Sequence, residues 1–238
     1  KMRLTHQLAR ASAALSFRRP FASRTSLAMA AIAEPESKKA CVETTFPEAW
    51  FMCYKVENQK EENRQEPNLP CPAAALEKIG IQHWKLDAAK FVYPTKSVPW
   101  DPSDAVDPEL VAIRDARGYS YADIITVHPD HLPEFDAKVK AFFEEHIHDA
   151  EEIRYILGGS GYFDVRDAAD KWIRIHIKAG DLITLPEGIY HRFTCDKTDY
   201  IHAMRLFKGQ PVWTPFNRPQ EEHPSRKKFV ESYVEPVK

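Results

Sequence analysis

From His146 onward the chain breaks into short β-branched and aromatic runs separated by turn-forming residues. In order they read EIRYIL, GGSG, YFDV, RDAADK, WIRIHI, KAGD, LITLP, EG, IYHRFT, CDKTD and YIHAMRLF. Five or six such strands, at spacings of roughly 8–12 residues, leave few architectures open, because antiparallel strands must close into a barrel or pack as a sandwich to hide their edges. The β core is expected over residues 144–214. A chain of 238 residues holds one such unit with modest additions, and all-β domains of this length usually keep a single core.

The segments before the β run read as its surroundings. A short helix is expected over 72–79, with Pro72 early and Gly80 at its end. A second is expected over 108–116, where Asp107 can cap, Pro108 takes the first helical position and Gly118 stops the helix. ADIITV at 122–127 is a strand candidate, and LPEFDAKVKAFFEEH places Phe135, Val139 and Phe142 at helical spacing. Residues 34–72 read as polar and irregular, and the run KVENQKEENRQEPN at 55–68 as a solvated loop. FVYPTKSVPWDPSD reads as a proline-broken surface excursion.

Charge divides the chain into two unlike pieces. Residues 1–33 hold six basic side chains and no acid, so a formal net charge of −2 hides −8 over the rest. Rich in Arg, Ser and Ala, the arm has the make-up of a mitochondrial or plastid transit peptide, or is a non-core N-terminal extension; Met29 offers a second start. Residues 34–238 are expected to form the single domain. An acidic domain without a basic stripe repels phosphate backbones, so no nucleic-acid partner is expected. No run approaches the roughly 18–20 apolar residues of a membrane span. Cys41, Cys53, Cys71 and Cys195 show no C-x-x-C spacing, which suggests neither a zinc knuckle nor a disulfide framework.

Inside the β run lies HIHDAEE, residues 146–152. On a strand His146 and His148 leave the same face, and Glu152 opens the next strand after a short bend, able to return its carboxylate to the same point. His191, in LPEGIYHRF, is a fourth candidate, with Pro186 and Gly188 shaping its approach. Three neutral imidazoles and one carboxylate suit Fe(II), Ni(II), Mn(II) or Zn(II), and suit Ca(II) or Cu(I) poorly. Four protein ligands on an octahedral ion leave two places where a substrate could chelate through two oxygens. The other histidines, among them His176 and His202 on strands, show no such grouping.

These residues resemble the two motifs of the cupins, which are mainly β proteins built on a metal-binding double-stranded β-helix barrel with a few peripheral helices. The first motif, G-x5-H-x-H-x3-E-x6-G, is met from His146 to Gly159, with Lys140 in place of the leading glycine. The second, G-x5-P-x-G-x2-H-x3-N, is met by Gly180, Pro186, Gly188 and His191, with Cys195 in place of asparagine. More specifically, RGYSYADIITV, FFEEHIHDAEEIRYILGGSGYFDVRD, KWIRI, LPEGIYHRFT and MRLFKGQPVWTPFNRP resemble the acireductone dioxygenases of methionine salvage, over about residues 73–233.

That resemblance implies an enzyme cleaving 1,2-dihydroxy-3-keto-5-methylthiopentene with O2. With Fe(II) it implies 4-methylthio-2-oxobutanoate and formate; with Ni(II), 3-methylthiopropanoate, formate and CO. It implies one ion per monomer on His146, His148, Glu152 and His191, and a protein of cytoplasm and nucleus. Arg154, on the face of Glu152, would steady the substrate dianion. Phe142, Ile156 and Phe193 would line an apolar slot for the methylthio tail. Glu145 and Glu151 would orient the histidines from behind. Two other readings remain at this level: a cupin oxidase with another substrate, and a non-catalytic cupin that binds a partner.

Overall fold

The computed structural model describes residues 46–91 and 107–234. The arm at 1–33, Cys41 and nearly all of the FVYPTKSVPWDPSD excursion lie outside that range. The described chain is mainly β, with ten strands and four α-helices. No helix among the described residues is long and apolar enough to cross a membrane.

The architecture turns on one long strand. After β1 (Ala49–Phe51), β2 (Gln82–Lys85), β3 (Tyr121–Val127) and β4 (His146–Ile147), strand β5 runs for 15 residues, Glu152–Arg166. Its first part pairs with β7 (Asp181–Leu185) and β9 (Ile201–Phe207). Its second part pairs with β6 (Trp172–Lys178) and β8 (His191–Cys195). All of these pairings are antiparallel, and further strands extend each sheet: β1 on β6, β2 on β7, β3 on β9, and β4 between β8 and β10 (Phe216–Asn217).

The GGSG run, expected as a turn, is instead the middle of β5. A bulge falls between Ile156 and Gly158, and Gly159 adopts φ +72°. A β-carbon at Gly159 would stand 2.1 Å from the Tyr200 carbonyl oxygen, so only glycine lets β9 come this close. The extra residue also swaps the strand's facing. Glu152, Arg154 and Ile156 face the cavity before the bulge, and Phe163 faces it from an odd position after it.

The interior is filled from both sheets by Ile156, Phe163, Val165, Ile175, Ile177, Ile183 and Leu185. A second apolar layer lies behind the β7–β5–β9 side, where Ile153, Tyr155, Leu182, Met204 and Leu206 pack with Leu110. Leu110 belongs to α2 (Pro108–Arg117), whose signals behave as read: the Asp107 carboxylate accepts from Glu109 N at 3.0 Å, and Gly118 ends the helix at φ +71°. Helix α1 (Ala73–Lys78) falls where Pro72 and Gly80 bracket it, α3 (Phe135–Phe142) where the spacing of its apolar residues puts it, and α4 (Pro224–Phe229) follows β10.

The segment at 55–68 is more than a solvated loop. The backbone carbonyls of Gln59 and Glu61 accept hydrogen bonds from Arg174, whose guanidinium is fully buried against Asp164. Cys53, Cys71 and Cys195 are free thiols.

Candidate metal centre

Strand pairing assembles the histidines. His146 on β4 stands directly opposite His191 on β8, and their ring centroids are 4.5 Å apart. Those of His146 and His148 are 4.9 Å apart, and those of His148 and His191 5.3 Å. One ring nitrogen of each lies within 4.8 Å of the others. Glu152 enters at the start of β5, where its Oε2 comes within 3.5 Å of His148 Nε2. The structure therefore brings all four expected ligands to one place.

The backbone fixes how the rings present themselves. His146 Nδ1 donates to Glu144 O at 2.6 Å, His148 Nδ1 to Thr214 O at 3.0 Å, and His191 Nδ1 to Ile189 O at 2.9 Å. A carbonyl only accepts, so each Nδ1 carries the proton and each neutral ring is left with a bare Nε2. His191 Nε2 is buried with no hydrogen-bond partner among the described residues. An orphan of that kind costs about 1–3 kcal/mol, and an electron-pair acceptor at the centre would remove the cost. Burial and the neighbouring His146 push the His191 imidazole down to about 3, and burial also lowers His146. Burial alone would raise the Glu152 carboxyl, but the Arg154 guanidinium and the imidazoles draw it down to about 2. His146 and His191 are thus neutral and Glu152 ionised near neutral pH, the forms a divalent ion needs.

Arg154 sits one pleat along β5 from Glu152, with its Nη2 2.9 Å from Glu152 Oε1 and its Nη1 donating to Ile153 O at 2.9 Å. Across the β5–β9 pair it faces Arg205. Like charges directly opposite are unfavourable unless neutralised. Asp123, opposite Arg205 on β3, accepts from its Nε at 2.6 Å and Nη2 at 2.5 Å. The Trp213 ring lies over the Arg205 guanidinium, 3.6 Å from centroid to carbon. Arg205, Asp123 and Trp213 escape a reading of the sequence, because only the β9 register puts Arg205 on the face of Ile201 and Ala203.

The three histidines, Glu152, Arg154, Arg205 and Trp213 ring one end of a cavity of about 280 Å³. The other end is apolar. Phe142, Ile156 and Phe193, the residues expected there, line it together with Val127, Ile177 and Ile201. Phe193 packs against Phe163 and Phe142 at centroid distances of 5.3 and 6.4 Å.

Glu145 and Glu151 do not stand behind the histidines. Glu145 takes hydrogen bonds from Arg166 and Arg218, and Glu151 pairs with Arg117 and with Lys208. The carbonyls of Glu144, Thr214 and Ile189 orient the rings instead. His176 packs on Tyr162 at 4.9 Å and His202 bonds Thr126, away from the triad, as their isolation in the sequence suggests.

Comparison with known proteins agrees with this geometry. The model of the ARD/ARD' family matches residues 48–215. "Acireductone dioxygenase 2" of Physcomitrium patens is 50% identical over 189 residues, covering 79% of this chain and 90% of that protein. "Acireductone dioxygenase" of Danio rerio is 51% identical over 186 residues, 78% of this chain and 96% of that one. Among solved structures, "Acireductone dioxygenase from Bacillus anthracis with cadmium ion in active center" superposes with a TM-score of 0.55 at 21% identity, over 72% of this chain and 98% of that one. That likeness supports the cupin barrel, and with a family model over most of the described barrel and relatives at half identity, the chain belongs to the acireductone dioxygenase (ARD/ARD') family.

Proposed function

We propose that this chain is a metal-dependent acireductone dioxygenase that binds one Fe(II) or Ni(II) through His146, His148, Glu152 and His191. The observation that carries the reading is the set of three imidazoles locked with Nε2 bare, one of them orphaned, beside a charged arginine at the polar end of an apolar cavity. A divalent ion held there supplies Lewis acidity toward the two oxygens of an enediol and, as iron, a route to dioxygen.

The protein's own share is binding and charge control. Arg154, half neutralised by Glu152, presents a fixed guanidinium where an enediolate would carry its charge. Asp123 offsets the charge of Arg205, the cross-strand neighbour of that guanidinium. Phe142, Ile156 and Phe193 keep bulk water from a reactive dianion and fit the methylthio tail of 1,2-dihydroxy-3-keto-5-methylthiopentene. Loaded with iron, the protein is expected to return 4-methylthio-2-oxobutanoate and formate to methionine salvage; loaded with nickel, to release 3-methylthiopropanoate, formate and CO. The reading extends to a monomer of the cytoplasm and nucleus, or of mitochondrion or plastid if residues 1–33 act as a transit peptide.

The test is anaerobic reconstitution with Fe(II), then addition of acireductone and oxygen. Oxygen uptake matched by formate supports the reading, and absence of uptake in metal-loaded protein overturns it. A nickel-loaded sample assayed for CO separates the two product routes.

A further inference from the structure

The family match ends at residue 215, yet the segment that follows reaches back to the turns that carry the candidate ligands. Strand β10 pairs with β4, setting Asn217 opposite His146 and Phe216 opposite Ile147. Farther on, the Ser225 hydroxyl donates to Asp149 Oδ1 at 2.8 Å, and His223 Nε2 lies 3.5 Å from the same oxygen. Asp149 is the residue after His148. On its other side Ser225 meets the turn before His191: a β-carbon at Gly188 would stand 2.1 Å from Ser225 O, and Gly188 holds φ +79°. Gly188 N donates to His148 O at 3.1 Å, so the two ligand-bearing turns are also tied to each other.

From this arrangement we propose that residues 216–226 form a strap that positions the metal centre, with Ser225 as its positioning residue, acting on His148 through Asp149 and on His191 through Gly188. The proposal rests on the metal reading given above.

Three features separate this from ordinary packing of a C-terminal segment. Ser225 is buried and directs its hydroxyl to a carboxylate, a charge-assisted bond whose loss leaves Asp149 Oδ1 with only the longer approach of His223, without opening a cavity in the barrel. The glycine at 188 is required by close backbone approach as well as by its own dihedral, so the contact constrains both partners. Arg226 adds a second hold on the same turn, donating to Gly188 O at 3.3 Å while its guanidinium lies 4.5 Å over the ring of Tyr190, the neighbour of His191. Groups of this kind, which touch no ion but fix the residues that do, commonly alter metal affinity by about 10–100-fold.

The experiment loads full-length protein with Co(II) and follows its d–d absorption during transfer to excess EDTA. Ser225→Ala is expected to release Co(II) about ten-fold faster than wild type, as a lost outer contact would. Asp149→Ala is expected to do the same, and the double variant to be no faster than the quicker single one. Release at the wild-type rate overturns the proposal, as does a double variant whose two effects simply multiply. A fall in the melting temperature of metal-free Ser225→Ala with no change in Co(II) release also overturns it, since that is what a purely structural serine would give. Failure of the wild type to take up Co(II) strikes instead at the metal reading and is a distinct result.

Discussion

Two polar clusters are buried in this barrel, and they are built in opposite ways. On the outer face, Asp164 receives Nε and Nη2 of Arg174 at 2.7 and 2.9 Å and Nε of Arg192 at 2.8 Å. Nη1 of Arg174 is taken by the carbonyls of Gln59 and Glu61, and no buried polar atom of the three side chains is left over. On the inner face, the carbonyls that hold His146, His148 and His191 use up one nitrogen of each ring and leave the others converging, His191 Nε2 without a hydrogen-bond partner among the described residues. A buried cluster that satisfies itself holds chains together. One that satisfies all but its inward-facing lone pairs is waiting for a ligand.

The comparison breaks most completely if His191 can be removed without consequence for metal. His191→Ala is expected to abolish stoichiometric metal, measured by elemental analysis after reconstitution and gel filtration, while costing the metal-free protein less stability than the loss of Arg174. Full occupancy in that variant would mean that the inner cluster is not a ligand set. Arg174→Ala should do the reverse. It leaves Asp164 with Arg192 alone, and breaking a buried pair costs about 3–5 kcal/mol, read by denaturant unfolding. Its folded fraction should still take up metal. Arg154→Ala sharpens the contrast within the inner site: metal is retained and turnover falls by about 10²–10³-fold, the usual cost of removing one fixed charge stabiliser. Unchanged turnover would take the dianion role from Arg154.

How much of this a sequence can show depends on whether the information is local. His146 and His148 share a face by the period of a strand, and Glu152 follows within one bend, so that part is legible at once. His191 is legible as a candidate, but its place opposite His146 is a matter of pairing. Arg205 and Asp123 belong to the site only through the β3–β9–β5 register, which no window of sequence contains. Glu145 and Glu151 mislead for the complementary reason: nearness in sequence suggests a shared task, while their carboxylates are taken up by Arg166 and Arg218 and by Arg117 and Lys208. The GGSG run misleads because glycine pairs usually mark turns, whereas here they serve a bulge and the close passage of Tyr200. The polar run at 55–68 hides its contribution in backbone carbonyls, which composition cannot reveal.

Strand β5 carries one further implication. Since it borders β6, β7, β8 and β9 and also bears Glu152, Arg154 and Ile156, alignment of the sheets and aim of the site are set by a single count of residues. Deleting one residue between Leu157 and Ser160 would let either half keep its partners only by turning the other inside out, exchanging the acid, the guanidinium and the isoleucine for Ile153 and Tyr155. Errors of alignment here cannot be small: the chain has either its fold and its chemistry together, or neither.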